Sequence, residues 1–158
     1  MLKLTTKGRY GVRLMLDLAL HDGQGPVPLR DIARRQDISE KYLWHLIPPL
    51  RDAGLIRSSR GANGGYVLAQ PPSHITLKDI LTVLEGRICL VDCISNPSFC
   101  PRSRNCVPKD IWRDVSETIS HTLDSFTLGK MIEKQKSASE AISYAIHLWW
   151  SARPCPGF

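Results

Sequence analysis

The sequence lacks several features that would place it in common classes of protein. It has no uninterrupted apolar run of roughly 20 residues, the length that a membrane-spanning helix needs. It has no internal repeat, no low-complexity tract, and no acid–base pair, nucleotide loop or substrate motif that would indicate an enzyme. The start "MLKLTTKGRYGVRLMLDLAL" is basic and then apolar, but Arg13 and Asp17 interrupt it and no small-residue cleavage site follows. We therefore expect a cytoplasmic protein that is neither exported nor bound to a membrane.

Acidic residues are scarce in the first half of the chain. Residues 1–70 contain eleven Lys and Arg against six Asp and Glu, which accounts for +5 of the total charge of +6. Residues 71–158 contain ten against nine, a net charge of only +1. A basic excess confined to one part of a chain is typical of nucleic-acid binding, although a solvated surface with a chance asymmetry gives the same count.

Hydrophobic periodicity predicts three helices at the start of the chain. The first covers residues 6–21 and ends in "HDGQGP", and the second is a short helix over about 28–35. Ser39 is a good N-cap for the third. Because a proline inside a helix removes a hydrogen bond and clashes with the preceding turn, Pro48 and Pro49 predict a kink or break near Ile47.

Two short β-prone runs follow, "LIRSS" (55–59) and "GGYVLA" (64–69). The turn "RGANG" (60–64) between them is rich in Gly and Asn and predicts a hairpin. Helix, helix–turn–helix and hairpin in this order predict a winged helix–turn–helix domain over residues 1–70.

The second half of the chain predicts a short helix over 76–86, a polar cysteine loop and a long helix over about 108–126. A single apolar stripe on this long helix is typical of a dimerisation element, the alternative being packing within the monomer; its residues are Trp112, Val115, Ile119, Leu123 and Phe126. A short helix over 127–135 and a C-terminal tail over 136–158 complete the chain. We expect a mainly α fold, with a small β-hairpin wing, in which residues 71–135 hold the loop and the dimerisation helix.

Polar residues near the start of the third helix are the candidates for DNA contacts. The second helix of a helix–turn–helix enters the major groove, and residues near its N-terminus reach base edges; here these are Ser39, Lys41, Tyr42, Trp44 and His45. Arg51 lies further along and is a candidate for a phosphate contact. Arg60, among glycines at the hairpin tip, suits a narrow minor groove. Taken singly, each of these residues is equally consistent with an ordinary surface position.

Three cysteines, Cys93, Cys100 and Cys106, lie in the polar segment "CISNPSFCPRSRNC". A structural zinc site normally needs four ligands and often pairs spaced by two residues, which this spacing does not provide. A thiol switch, with Arg102 and Arg104 favouring the thiolates, is a second interpretation. An iron–sulfur cluster held by three thiolates and one further ligand is the third. Spacing alone leaves all three open.

Several segments together resemble the IscR/NsrR family of winged-helix iron–sulfur transcription regulators, among them "LTTKGRYGVRLMLDLAL", "RGANGGY" and "TLGKM". The resemblance runs from residue 2 to about residue 135. It implies a homodimer that binds a palindromic operator in double-stranded DNA and senses iron, redox state or nitric oxide. The implied cofactor is a 2Fe–2S or 4Fe–4S cluster on Cys93, Cys100 and Cys106. Some relatives lack a cluster, which keeps a thiol redox switch as the alternative.

The chain departs from that family at three positions. Trp44 replaces a glutamate that tunes site choice, so the operator sequence does not carry over. Lys109 replaces a histidine that serves as fourth ligand, and Gly8 replaces the acidic or histidine ligand that some relatives supply from the partner's first helix. The fourth ligand is therefore open: an exchangeable small molecule is one candidate, and the in-chain candidates are Cys89, Asp92 and Asp110. Cys89 is equally consistent with a small core residue.

Overall fold

The computed structural model describes residues 4–61 and 64–151. The helices are α1 (Thr6–Leu20), α2 (Leu29–Gln36), α3 (Glu40–Asp52), α4 (Leu77–Glu85), α5 (Asp92–Ser95), α6 (Val107–Asp124) and α7 (Leu128–Ser151). The strands are β1 (Ile56–Ser59) and β2 (Gly65–Leu68), which pair antiparallel. Two single turns of 3-10 helix, Pro97–Phe99 and Ser103–Asn105, lie between α5 and α6. The mainly α fold with a hairpin wing is confirmed.

Helices α1 to α3 pack around one hydrophobic core, because each presents apolar residues on a single face. Leu14, Ile32 and Leu43, one from each helix, are completely buried. The turn between α2 and α3 depends on Asp37, which ends α2 in the left-handed conformation with φ of 50°. The Ser39 hydroxyl then caps α3 by accepting a hydrogen bond from the Tyr42 N–H at 3.2 Å, as the sequence predicts.

The expected break in α3 is wrong, since the helix continues through Pro48 and Pro49 to Asp52. The two prolines lack the N–H groups that would bond the carbonyls of Trp44 and His45. Both of these residues are exposed, so water can satisfy their carbonyls. On the opposite face the core side chains of α3 are buried, and their packing keeps the helix continuous.

The hairpin is joined to the core through a close backbone contact. Val27 and Tyr66 exchange two backbone hydrogen bonds of 2.9 Å, which bring the segment before α2 against β2. A Cβ atom at Gly65 would collide with the Val27 carbonyl, so this position requires glycine. The contact explains one glycine of the "GGY" motif and fixes the base of the wing.

Helix α4 extends the same core. Thr76 and Asp79 form a capping box at its start, and Gly86, with φ of 88°, follows its end. Ile80 and Leu84 are buried against the first domain. The division of the chain into three parts at residues 70 and 135 stays a prediction.

The helix predicted for 127–135 is longer than expected. It begins at Leu128, which is fully buried, and continues without interruption to Ser151. The sequence from Lys130 to Ser151 contains no glycine or proline and is rich in good helix formers, so nothing local ends the helix. Residues 152–158, including Cys155, lie outside the described residues. Among the described helices, none is both long and apolar enough to cross a bilayer.

Candidate nucleic-acid interface and cysteine loop

Helix α3 carries most of the predicted DNA contacts on its exposed face. Lys41, Trp44 and His45 are exposed there, and Ser39 is exposed at the N-cap. Tyr42 differs, because it is half-buried and its ring packs edge-on against Tyr10, with centroids 5.3 Å apart. The structure therefore places four of the five candidates on one open surface and assigns Tyr42 a packing contact as well.

A groove of about 560 Å³ separates the start of α3 from the wing. Glu40 and Trp44 line it on the helix side, and Trp44 packs edge-to-face on Tyr66, with ring centroids 6.3 Å apart. Arg60 lies at the wing side of the groove, and Arg30 from the start of α2 also lines it. Two of the predicted residues, Trp44 and Arg60, thus share one groove with a second cation, Arg30, that sequence reasoning missed.

The basic residue Arg51 lies at the other end of α3. It is exposed and pairs with Asp52 at 3.2 Å, an exposed ion pair that constrains it weakly. Burial raises the pKa of the Tyr66 hydroxyl above its ordinary value, and the positive charge of Arg51 opposes that shift. The charge of Arg51 therefore acts on the Tyr66 hydroxyl in the wing.

Sequence reasoning also missed the role of Asp17, which it treated only as an interruption of an apolar run. Asp17 is 1% exposed in α1. Arg35 from α2 donates to its carboxylate at 2.6 Å, and the Gln36 amide donates at 2.9 Å. The hydrogen bonds that Arg35 donates to Asp17 are the main cause that raises the pKa of Arg35. This pair fixes the first helix of the helix–turn–helix to α1.

The four described cysteines are half-buried free thiols. Cys93 lies in α5, Cys100 lies between the two 3-10 turns, and Cys106 is the N-cap residue of α6. No group of three or more His, Cys, Asp or Glu side chains within residues 4–61 and 64–151 is arranged to hold a metal ion. The chain thus places three thiols in one loop without gathering them into a preformed metal centre.

The loop is held in shape by Ser103. This side chain is buried, and its hydroxyl donates to the Pro97 carbonyl at 2.8 Å. Lys109, from the first turn of α6, donates through Nζ to the Ser103 carbonyl at 3.0 Å. Lys109 therefore anchors the loop and brings a positive charge to it, at the position where the family resemblance implies a histidine ligand.

The donor set fits an iron–sulfur cluster in its chemistry, because thiolates are the usual ligands of such clusters. All three loop thiols are unpaired and partly accessible. Cys89 stands apart, since its Sγ–H donates to the Val91 carbonyl at 3.1 Å and it lines clefts on both sides of the α4–α6 contact. Its roles as fourth ligand and as core residue both stay predictions.

The predicted apolar stripe has two parts that differ in solvent exposure. Trp112 and Val115 are exposed, as are Val107 and Ile111 on the same half of the helix. The later stripe residues Ile119, Leu123 and Phe126 are half-buried. The first half of α6 thus leaves a row of large apolar side chains in water.

A helix–turn–helix with an exposed recognition face, a basic wing and a basic first domain defines a DNA-binding transcriptional regulator. Residues 4–134 match the Rrf2 family, described as an iron-dependent transcriptional regulator. The chain belongs to the Rrf2 family of transcriptional regulators, which confirms the resemblance seen in the sequence.

Three relatives illustrate the match. Protein rrf2 of Nitratidesulfovibrio vulgaris is 39% identical over 150 residues, covering 92% of this chain and all of the relative. The regulator CymR of Bacillus subtilis is 40% identical over 145 residues, covering 92% of this chain and all of CymR. The solved structure of T. potens IscR has a TM-score of 0.72 and 45% identity, covering 87% of this chain and 90% of that one. CymR is named as a transcriptional regulator and the family is described as one, so the chain is accordingly not an enzyme.

A solved CymR structure from B. subtilis, titled as that of the global cysteine regulator, superposes with a TM-score of 0.71 at 41% identity, covering 85% of this chain and 98% of that chain. The chain is therefore about equally similar to an IscR and to a CymR. Family membership establishes the regulator and its DNA-binding fold, and it leaves the sensing chemistry to be argued from this chain's own residues.

Proposed function

We propose that this protein is a cytoplasmic homodimeric regulator that senses iron, redox state or nitric oxide through an iron–sulfur cluster. Cys93, Cys100 and Cys106 would hold the cluster, with Cys89 as the first candidate for the fourth ligand. The observation that supports this proposal is the presence of three free, partly accessible thiols in one loop that ends at the N-terminus of α6. When bound, the cluster would supply a redox-active and ligand-reactive iron centre to that loop.

DNA binding would use the exposed face of α3 and the wing. Ser39, Lys41, Trp44 and His45 are available for base contacts, and Tyr42 contributes from a half-buried position. Arg51 and Arg60 are exposed cations at the two ends of this surface, suited to phosphate and minor-groove contacts.

Dimerisation would use the exposed apolar half of α6. Val107 is 69% exposed, Ile111 53% and Trp112 45%, which leaves a contiguous apolar row on one helix. Such a row in a regulator of a palindromic operator is best explained by a second copy of the chain, because two recognition helices must lie about one DNA turn apart.

A path of direct contacts connects the loop to the DNA-binding domain. Leu90 N–H donates to the Ser116 hydroxyl at 3.3 Å, which joins the start of the loop to α6. Lys78 of α4 pairs with Asp124 of α6 at 3.6 Å. At the end of α4, Glu85 accepts hydrogen bonds from the N–H groups of Thr5 (3.1 Å) and Gly8 (2.9 Å) at the start of α1. A change in the loop that moved α4 would therefore move α1, with a coupling on the order of 1–3 kcal/mol, typical of allosteric systems.

Anaerobic purification with iron and sulfide analysis tests the proposal. We expect the wild-type protein to be coloured and to contain iron and sulfide, and Cys100→Ala to lose both. Cys155→Ala is the matched control, because this cysteine lies beyond the family match, and it should retain the cluster. Operator affinity should differ between loaded and cluster-free protein; equal affinities would contradict the sensing proposal and leave DNA binding intact.

A cluster-free thiol switch is the second candidate, favoured by the free state of all four described thiols and by the similarity to CymR. It predicts colourless protein after anaerobic purification. It also predicts an operator affinity that changes with a thiol oxidant and recovers with a thiol reductant, in the wild type and not in Cys100→Ala. Iron and sulfide bound in stoichiometric amounts would contradict it.

A further inference from the structure

We propose that Trp44 reads the C5-methyl group of a thymine in the major groove, so that the operator requires T at the position facing this indole. The inference rests on the proposed use of α3 as recognition helix. It goes further by assigning the base and the chemical group that one side chain selects.

The first observation that supports the proposal is the solvent exposure of the Trp44 side chain. Trp44 is 53% exposed, on the same face of α3 as Lys41 and His45, while Leu43 and Leu46 on the opposite face are buried. The indole therefore does not belong to the hydrophobic core into which Leu43 and Leu46 pack. A large aromatic surface left in water on a face otherwise carrying polar groups is typical of a contact made with a partner.

The second observation is that packing restrains the Trp44 side chain. The indole packs edge-to-face on Tyr66, at 6.3 Å between ring centroids and 83° between planes. Tyr66 is itself buried, and its backbone exchanges two hydrogen bonds of 2.9 Å with Val27. Trp44 thus rests on a ring fixed to the core of the domain, which lowers the entropy lost when it contacts a ligand.

The chemistry of the indole then limits what it can recognise. It offers one N–H donor, no acceptor and a broad apolar surface. Among the base edges of the major groove, the thymine methyl is the apolar group, while the other positions present hydrogen-bond donors and acceptors. Lys41 and His45, one helical turn or less away, have the polar groups for those positions. Trp44 therefore fits thymine through its apolar surface, whereas a G·C pair could engage only its single N–H.

The test uses a duplex selected by the full-length protein from a randomised library, with each thymine then replaced in turn by deoxyuridine. This replacement removes one methyl group and leaves base pairing and all hydrogen-bonding groups unchanged. We expect one thymine in each half-site at which the replacement weakens wild-type binding about fourfold, the effect of one buried methyl group. Cytosine at that position should bind weakly, and 5-methylcytosine should recover part of the loss.

Two variants connect the effect to the indole. Trp44→Ala should bind the thymine and deoxyuridine duplexes equally at that position. His45→Ala is the matched control: it removes an adjacent exposed side chain of α3, and it should keep the fourfold preference even where its overall affinity falls. Both side chains are exposed, and Trp44→Ala removes the contact with Tyr66 while leaving the buried residues of α3 in place.

Each possible contrary result would have a different meaning. Equal binding of thymine and deoxyuridine at every position would overturn the proposal, and a loss of affinity in Trp44→Ala without any methyl preference would mean that the indole packs on sugar or phosphate. A methyl preference that survives in Trp44→Ala would overturn it as well. Failure to select any duplex would overturn both this inference and the DNA-binding proposal, whereas identical results with loaded and cluster-free protein would contradict the sensing proposal alone.

Discussion

At the scale of single residues, the pair formed by Asp17 and Arg35 shows how a charge can be kept inside a small domain. Asp17 is enclosed by α1 and α2, and it receives hydrogen bonds from Arg35 and Gln36. Desolvation of a carboxylate is costly, and direct charge-assisted hydrogen bonds offset that cost. The pair thereby sets the position of α2, against which α3 packs.

Arg35→Ala should therefore lower the free energy of unfolding by roughly 2–4 kcal/mol, because it leaves Asp17 buried without its cation. The expected loss is below that for a fully enclosed pair, since the Arg35 side chain is 32% exposed. Chemical denaturation followed by circular dichroism measures it. Arg34→Ala is the matched control: this side chain is 79% exposed and lies 3.8 Å from Asp31, so its change should stay within about 0.5 kcal/mol. Equal effects of the two substitutions would contradict the role of the Asp17 pair.

At the scale of elements, the contact between α1 and α4 depends on two glycines one helical turn apart. A Cβ atom at Gly8 would collide with the Glu85 carboxylate, and one at Gly11 would collide with Leu84. Because both glycines lack a Cβ atom, the helices approach closely enough for Glu85 to cap the start of α1. Because α4 leads directly into the cysteine loop, this contact joins the loop to the DNA-binding domain.

Gly11→Ala should destabilise the protein by about 1–3 kcal/mol, since the added methyl group displaces the buried Leu84 side chain. Gly129→Ala is a suitable control, because a Cβ there makes ordinary contacts at 3.5 Å in another helix, and it should be neutral or up to about 1 kcal/mol stabilising. Thermal unfolding compares the two. Adding Leu84→Ala to Gly11→Ala should make the effect of the glycine change smaller; a fully additive double variant would show that the two side chains do not meet.

At the scale of the whole molecule, the first half of α6 is the surface that the monomer leaves open. Val107, Ile111, Trp112 and Val115 are exposed together, although each is large and apolar. Ser116, one turn after Trp112, is buried and donates through its hydroxyl to the Trp112 carbonyl at 2.7 Å. The helix is thus oriented, with one side against the rest of the chain and the apolar row outward.

Ile111→Glu should weaken self-association about ten- to a hundredfold, because burying this side chain at an interface contributes roughly 1.5–3 kcal/mol. Analytical ultracentrifugation over a concentration series measures the change. Glu117→Gln changes the charge by one unit at an exposed position of α6 that is turned away from Ile111 and Val115, and should leave the association unchanged. A wild-type protein that stays monomeric at every concentration would contradict the proposed dimer, as would an unchanged association in Ile111→Glu.

Local patterns were sufficient for most elements of the fold. Apolar spacing located α1 to α4 and α6, Ser39 marked the start of α3, and the Gly-rich turn located the wing, because these signals act over one or two turns of chain. The same reasoning failed at Pro48 and Pro49, where core packing on the far face of α3 outweighs a local penalty. It also ended the last helix at residue 135, although the helix continues to Ser151.

The sequence by itself determined the class of this protein: its basic first half, its winged helix order and its three loop cysteines are all properties of the linear chain. Only the tertiary structure decided that Asp17 is a buried partner of Arg35, that Lys109 anchors the cysteine loop, and that Trp44 rests on Tyr66 beside the wing. Each of these contacts joins residues of different elements, in two cases many positions apart. Their energies depend on desolvation and on shape, which arise only when the elements have packed together.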